Sequence, residues 1–270
     1  MLKYLILLLF VATTAVHAQH VKSSSGSSSG MVIYKAQVTM RGKPTIDTLR
    51  FNRQGSFFQW ERKMLKETTT VTHNNVPKKY VDLVPPPDSI GSYVIYNAAK
   101  DSIYMRRRTR SMATIGSPGI FLQAPKPEIH WNMADSTKKI GKYDCTRATA
   151  HFRGRDYTVW FTPQIPIPYG PWKLIGLPGL ILQAHDSLND IIFNAQKVIF
   201  KNNITIGAPS LTGKVKHLNF AQYKKWMTSW VKKYRKKMKA KILRHQGKGV
   251  TVSVSPPKQM EVFGKKGEKN

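Results

Sequence analysis

MVIYKAQVTMR, residues 31–41, alternates: Val32, Tyr34, Ala36, Val38 and Met40 fall on one side, and Lys35, Gln37, Thr39 and Arg41 on the other. A period of two in apolar and polar side chains is the pattern of a strand with one face in a core and one in water. Working outward, short segments of similar character recur at 49–53, 56–62, 79–84, 92–96, 102–106, 128–131, 142–151, 155–161 and 191–200, separated by Gly, Pro, Asn or Asp. No helical periodicity intervenes and no internal repeat stands out, so the expected fold is mainly β: a curved antiparallel meander, half-barrel or barrel-like.

The pattern changes after residue 205. Between 218 and 244, Phe220, Tyr223, Trp226, Met227, Trp230, Tyr234 and Met238 recur in steps of three and four, which predicts an amphipathic α-helix closing the fold. Its other face is crowded with lysine and arginine, and no acid occurs between Asp190 and Glu261. The 246–270 tail is rich in Gly, Pro and Lys and reads as loose.

At the other end, Lys3 precedes an apolar run from Tyr4 to Ala12, and Val16-His17-Ala18 offers small residues where a signal peptidase cuts. This is a secretory signal over 1–18, too short for a lasting membrane span. Residues 19–30 form a Ser/Gly linker. The expected organisation is therefore signal 1–18, linker 19–30, β-rich domain 31–205, basic helix region 206–245 and flexible basic tail 246–270. The chain is expected outside the cytoplasm: periplasmic, outer-membrane associated or secreted, with no transmembrane span after cleavage. The lone cysteine, Cys145, cannot form an intramolecular disulfide and reads as a small buried hydrophobe.

The 270 residues include 44 Lys and Arg against 14 Asp and Glu, a formal +30, while 41% are hydrophobic. That apolar fraction excludes a disordered basic tail, and the charge predicts attraction to polyanions. With the export signal, the polyanion expected is anionic lipid or lipopolysaccharide, or an envelope protein; the signal argues against intracellular nucleic acid, and no nucleic-acid-binding module is present.

Residues 161–182, FTPQIPIPYGPWKLIGLPGLIL, are the most apolar stretch of the mature chain and the least regular. Five prolines and three glycines forbid a spanning helix or a continuous central strand, leaving a stiff, extended connector packed on the sheet. Within it, Gly176-Leu177-Pro178-Gly179-Leu180-Ile181 resembles the motif that names the GLPGLI family of Bacteroidetes. Ile165-Pro166 and Gly170-Pro171-Trp172 upstream, with Tyr143-x-Cys145-x-x-Ala148 and Tyr157-x-x-Trp160 before them, extend the resemblance over about 31–200. The resemblance implies an exported, β-rich envelope protein with no established activity. The six motif residues offer almost no polar chemistry and read as a structural determinant.

Catalytic material is sparse. The acids are scattered singly, and His-Glu-x-x-His, phosphate-cradling and dinucleotide motifs are missing. His185-Asp186-Ser187-Leu188-Asn189-Asp190 has metal-ligand character, but its composition fits a hairpin turn better; no metal, cofactor or catalytic residue is assigned. The binding candidates are Lys224, Lys225, Lys232, Lys233, Arg235, Lys236 and Lys237, with Trp226 and Trp230 as interfacial anchors should the aromatic stripe be free. A second basic knot is Arg106-Arg107-Arg108-x-Arg110. The expected function is non-enzymatic binding of a partner or an anionic envelope surface. One alternative is a carrier shielding a lipid against Trp172, Leu174, Ile175, Leu177 and Leu180; another is a hydrolase of envelope polymers.

Overall fold

The computed structural model describes residues 29–39, 44–60, 68–73, 76–81, 91–107, 119–208, 215–246 and 261. The expected signal, most of the expected linker, Arg108, Arg110 and the tail after Gln246 other than Glu261 lie outside them. The strands are β1 (Gly30–Val38), β2 (Thr45–Asn52), β3 (Gly55–Trp60), β4 (Thr68–His73), β5 (Val76–Val81), β6 (Ser92–Asn97), β7 (Ser102–Arg107), β8 (Gly119–Pro125), β9 (Asn132–Ile140), β10 (Tyr143–Phe152), β11 (Arg155–Thr162), β12 (Leu180–Asp186), β13 (Ile191–Phe200) and β14 (Val215–Leu218), followed by α1 (Phe220–Gln246).

Twelve strands make one sheet in the order β14-β8-β7-β6-β3-β2-β1-β13-β12-β11-β10-β9, and β4 and β5 form a separate hairpin. Each pairing within the large sheet is antiparallel except β14 with β8, whose parallel register joins Val215 to Gly119 and Leu218 to Leu122. The sheet is open, ending at β14 and β9. It is nevertheless curled: Phe58 of β3 and Phe193 of β13, three places apart in the order, meet at 5.7 Å between ring centroids within a core that reaches from β8 to β10. A flat sheet cannot bring strands so far apart in its order onto one cluster; right-handed twist and coiling can.

β1 occupies the middle of the sheet, antiparallel to β2 on one side and β13 on the other. Its alternation is realised side chain by side chain, with Val32, Tyr34, Ala36 and Val38 all at most 2% exposed. Tyr34 meets Phe58 and Phe193 edge-on at centroid distances of 6.3 and 6.4 Å. Such pairs contribute about 0.5–1.5 kcal/mol each beyond the area they bury. On the opposite face, Phe57, Tyr93 and Ile95 form a second cluster, against which Ile206 packs. The Asn52 side-chain amide holds that covering segment by donating to the Ile204 carbonyl at 2.7 Å.

Several boundaries differ from the expectations above. Residues 128–131 form no strand; the next strand is β9, whose polar composition suits its position at the sheet edge. β8 and β14 add to the far end of the sheet, so the β-domain does not stop at 205. The linker gives its last two residues to the fold: Gly30 starts β1, and Ser29 Oγ donates to the Lys201 carbonyl at 2.7 Å. The helix starts at Phe220, two residues later than expected. Glu261, expected within a loose tail, is 4% exposed.

Candidate functional site

The Pro-rich connector between β11 and β12 lies against the core with a period of two. Ile165, Ile167 and Tyr169 are buried while Pro163, Pro166 and Pro168 face out, so the prolines stiffen the segment where their missing N–H groups cost nothing. Backbone bonds then fold the loop on itself, from Gly176 N to the Pro168 carbonyl and from Ile181 N to the Tyr169 carbonyl, both 3.0 Å. Trp131 of the β8–β9 connection donates its indole N–H to the Ile175 carbonyl at 2.9 Å, and Tyr34 donates its hydroxyl to the Ile181 carbonyl at 2.5 Å.

Within the motif, Leu177, Leu180 and Ile181 are buried at 2% or less, whereas Gly176 and Pro178 are exposed. Gly176 has φ of +99°, a conformation that L side chains avoid. Gly179 is buried against β11, where an added Cβ would stand 2.2 Å from the Thr162 carbonyl oxygen. The proposed carrier wall, Trp172, Leu174, Ile175, Leu177 and Leu180, is at most 5% exposed and belongs to the packed core.

One charge sits inside this apolar segment. Lys173 is 1% exposed, and its Nζ lies 2.6 Å from Oε1 of Glu261. The other carboxylate oxygen, Oε2, accepts from the Tyr223 hydroxyl at 2.7 Å. Arg153 Nε is 3.9 Å from Oε1, and its guanidinium lies over the Phe220 ring at 4.1 Å. Arg107 donates to the Tyr223 phenol oxygen at 3.4 Å and to Met227 Sδ at 3.1 Å. Burial alone pushes the Glu261 carboxyl up, but Lys173, Tyr223 and Arg153 outweigh it and hold the group below its ordinary value. Burial lowers the Lys173 ammonium despite its partner.

This cluster fixes the root of α1. Asn219 caps the helix reciprocally: its Oδ1 accepts from Gln222 N at 2.9 Å, and its own N–H donates to Gln222 Oε1 at 3.0 Å. Tyr223 and Met227 are buried, and half-buried Phe220 and Trp226 pack on the same core. Trp226, one of the expected anchors, therefore belongs to the docked part, stacked on Tyr223 at 6.2 Å. Farther out, Trp230 and Tyr234 stack on each other at 5.8 Å and stay partly exposed. Lys225, Lys232, Lys233, Arg235, Lys236 and Lys237 are exposed, and Lys224 is partly so. The helix is about 40 Å long at 1.5 Å per residue, so its outer two-thirds continue beyond the docked turns.

The remaining candidates are dispersed. Of the second basic knot, Arg106 turns to one side of β7 and donates to the Gly91 carbonyl at 2.6 Å, while Arg107 joins the helix root. The 185–190 segment ends β12 with His185 and Asp186 and makes the hairpin turn to β13 over 187–190, with Asn189 at φ +53°. Its carboxylates face inward: Asp186 bonds Arg155 and the Ile191 N–H, and Asp190 lies 3.5 Å from Arg155. Among the described residues, no three His, Cys, Asp or Glu side chains gather as a metal set. Cys145 is buried, and burial pushes its thiol up to about 11. A cleft of about 570 Å³ lies beside the start of α1, lined by Phe121, Gln123, His217 and Gln222 among others. Another of about 180 Å³ lies between Lys138, Gln183 and Asn194. Neither lining includes a carboxylate.

Sequence reasoning singled out the outer helix and the motif but missed Lys173 and Glu261. Each is conspicuous in isolation, Lys173 as the lone charge of residues 161–182 and Glu261 as the first acid after Asp190. What one-dimensional reading lacks is their pairing across 88 positions.

Among the described residues, no helix is long and apolar enough to cross a membrane. No curated protein matches the chain. Solved structures of PNGF-II in space groups P21 and C2 are similar at 13% identity, with TM-scores of 0.48 and 0.45. They cover 74% and 73% of this chain, which spans about a third of theirs at 33% and 32%. Residues 153–183 match a family described as a protein of unknown function, Porph_ging, and that window contains the whole Gly176-Leu177-Pro178-Gly179-Leu180-Ile181 motif.

Proposed function

We propose that the chain is an exported envelope protein of GLPGLI type that works by binding, presenting the outer length of α1 to the phosphates of an anionic envelope surface. The observation that carries this reading is the division of the helix. Tyr223 and Met227 bury its first two turns against the core on one side, whereas Lys232, Lys233, Arg235, Lys236 and Lys237 beyond them stand exposed with no acid among them. A helix made only to cover a sheet has no need of unneutralised charge at that density, and like charges three and four residues apart oppose helix formation. Close to an anionic leaflet each Lys or Arg contributes about 1 kcal/mol, falling off within a Debye length. Trp230 and Tyr234, partly exposed on the adjoining stripe of the same turns, supply amphipathic rings.

The carrier reading receives less support, because the side chains it needs are already packed against one another. The test is retention of the mature protein on vesicles of anionic phospholipid or lipopolysaccharide compared with neutral phosphatidylcholine, across a salt series. Retention on the anionic vesicles should fall steeply with salt and weaken at least tenfold in K232Q/K233Q/K236Q/K237Q. Equal, salt-insensitive retention on both vesicle types would sink the proposal.

A further inference from the structure

The Glu261 carboxylate is bound from three directions by parts of the chain far apart in sequence: Lys173 from the motif segment, Tyr223 from the helix root and Arg153 from the β10–β11 turn. Both oxygens are used, and Glu261, Lys173 and Tyr223 are each at most 4% exposed. The surroundings are otherwise cationic, with Arg153 and Arg107 beside Lys173. A buried ammonium deprived of its counter-ion is far more costly than an exposed one, so the helix root can close over Lys173 only with a carboxylate in place. The rings of Trp172 and Tyr223 lie 5.4 and 5.6 Å from the Lys173 ammonium and enclose it beside the carboxylate.

We propose that Lys173, Tyr223 and Arg153 form a carboxylate-binding socket for Glu261 of this same chain, so that this one residue latches the root of α1 onto the motif segment. The latch is independent of what the outer helix binds. It couples the motif segment to the helix root, and it makes the anchoring of the helix depend on a residue beyond the helix's own end.

The test is amide hydrogen exchange on the full mature chain, without vesicles, for wild type, E261Q, Y223F, K173M and K173M/E261Q. In E261Q, exchange at residues 220–228 and 171–177 should rise at least tenfold while β1 and β10 keep their protection. K173M/E261Q should recover to within about threefold of wild type, because removing both charges removes the penalty of leaving one unpaired. Y223F, which deletes one donor and keeps the ring, should raise exchange at 220–228 several-fold, and it decides the matter should E261Q fail to fold. Unchanged protection at 220–228 in these variants would overturn the latch. So would an equal loss across the whole sheet, or a double variant no better protected than E261Q.

Discussion

At the scale of single residues, the motif is held by backbone contacts that leave no room for side chains. Gly179→Ala drives a methyl to 2.2 Å from a carbonyl that belongs to β11 and cannot swing aside. It should lower stability by about 2–3 kcal/mol, the upper part of the range for overpacking. Gly207→Ala, with nothing within 4 Å and no left-handed φ, should be neutral or slightly stabilising. Urea midpoints of the two variants against wild type measure the contrast. Cys145 gives a second check: a buried thiol pushed up to about 11 should resist alkylation at pH 8 in the folded protein and react fully in denaturant, read by mass shift. Glu261 gives a third. Its folded pKa lies below the ordinary 4.5, so its contribution is present above that value and is lost as pH falls through the lower folded value. Denaturation from pH 7 down to pH 3 should therefore show a shallower loss of stability in E261Q than in wild type. The glycine constraints were foreshadowed by residue type, since three glycines among five prolines announce special turns. The Lys173–Glu261 pairing was not, because nothing local in either neighbourhood specifies a partner 88 residues away.

Elements were legible where local pattern and environment agree. β1, β10, β11 and β13 follow alternation because each has one face on the core, β6 is apolar on both faces because both are covered, and the helix follows its three-and-four spacing. β9 escaped because it lies at the sheet edge with nearly every residue at least partly exposed, so no apolar period marks it. β14 escaped because four residues are too few for a period; its strand character comes from the parallel pairing with β8. Residues 128–131 looked like a strand because Ile129 and Trp131 alternate, yet they form the approach by which Trp131 reaches the motif loop. For α1 the stripe was read as a single face, but the core takes only its first turns. The outer turns therefore owe their helicity to the peptide itself, against repulsion among Lys232, Lys233, Arg235, Lys236 and Lys237. Their helical circular dichroism should grow on adding anionic vesicles and stay unchanged with neutral ones; equal change with both would refute the electrostatic account.

For the whole molecule the charge is unevenly laid out. Residues after Asp190 carry 19 Lys and Arg against 2 acids, a net +17 of the formal +30. Within the curled sheet before them, buried Arg155 is ion-paired with Asp186 and Asp190. Two consequences of opposite sign follow for added salt. In the free protein, screening relieves self-repulsion within the basic C-terminal portion, and the buried pairs are shielded from the solvent ions that would weaken them. The melting temperature should therefore rise by a few degrees between about 0.05 and 0.5 M sodium chloride, where the Debye length contracts to several ångströms. On an anionic surface the same ions compete with the lysines, so retention should fall over that range. Scanning calorimetry of the free protein beside vesicle sedimentation in matched buffers separates the two. A melting temperature that falls with salt would mean that attractive surface pairs such as Lys126–Asp101, 2.8 Å apart, outweigh the repulsion. The excess charge would then be a balanced part of the fold, with no force left over to direct at a partner.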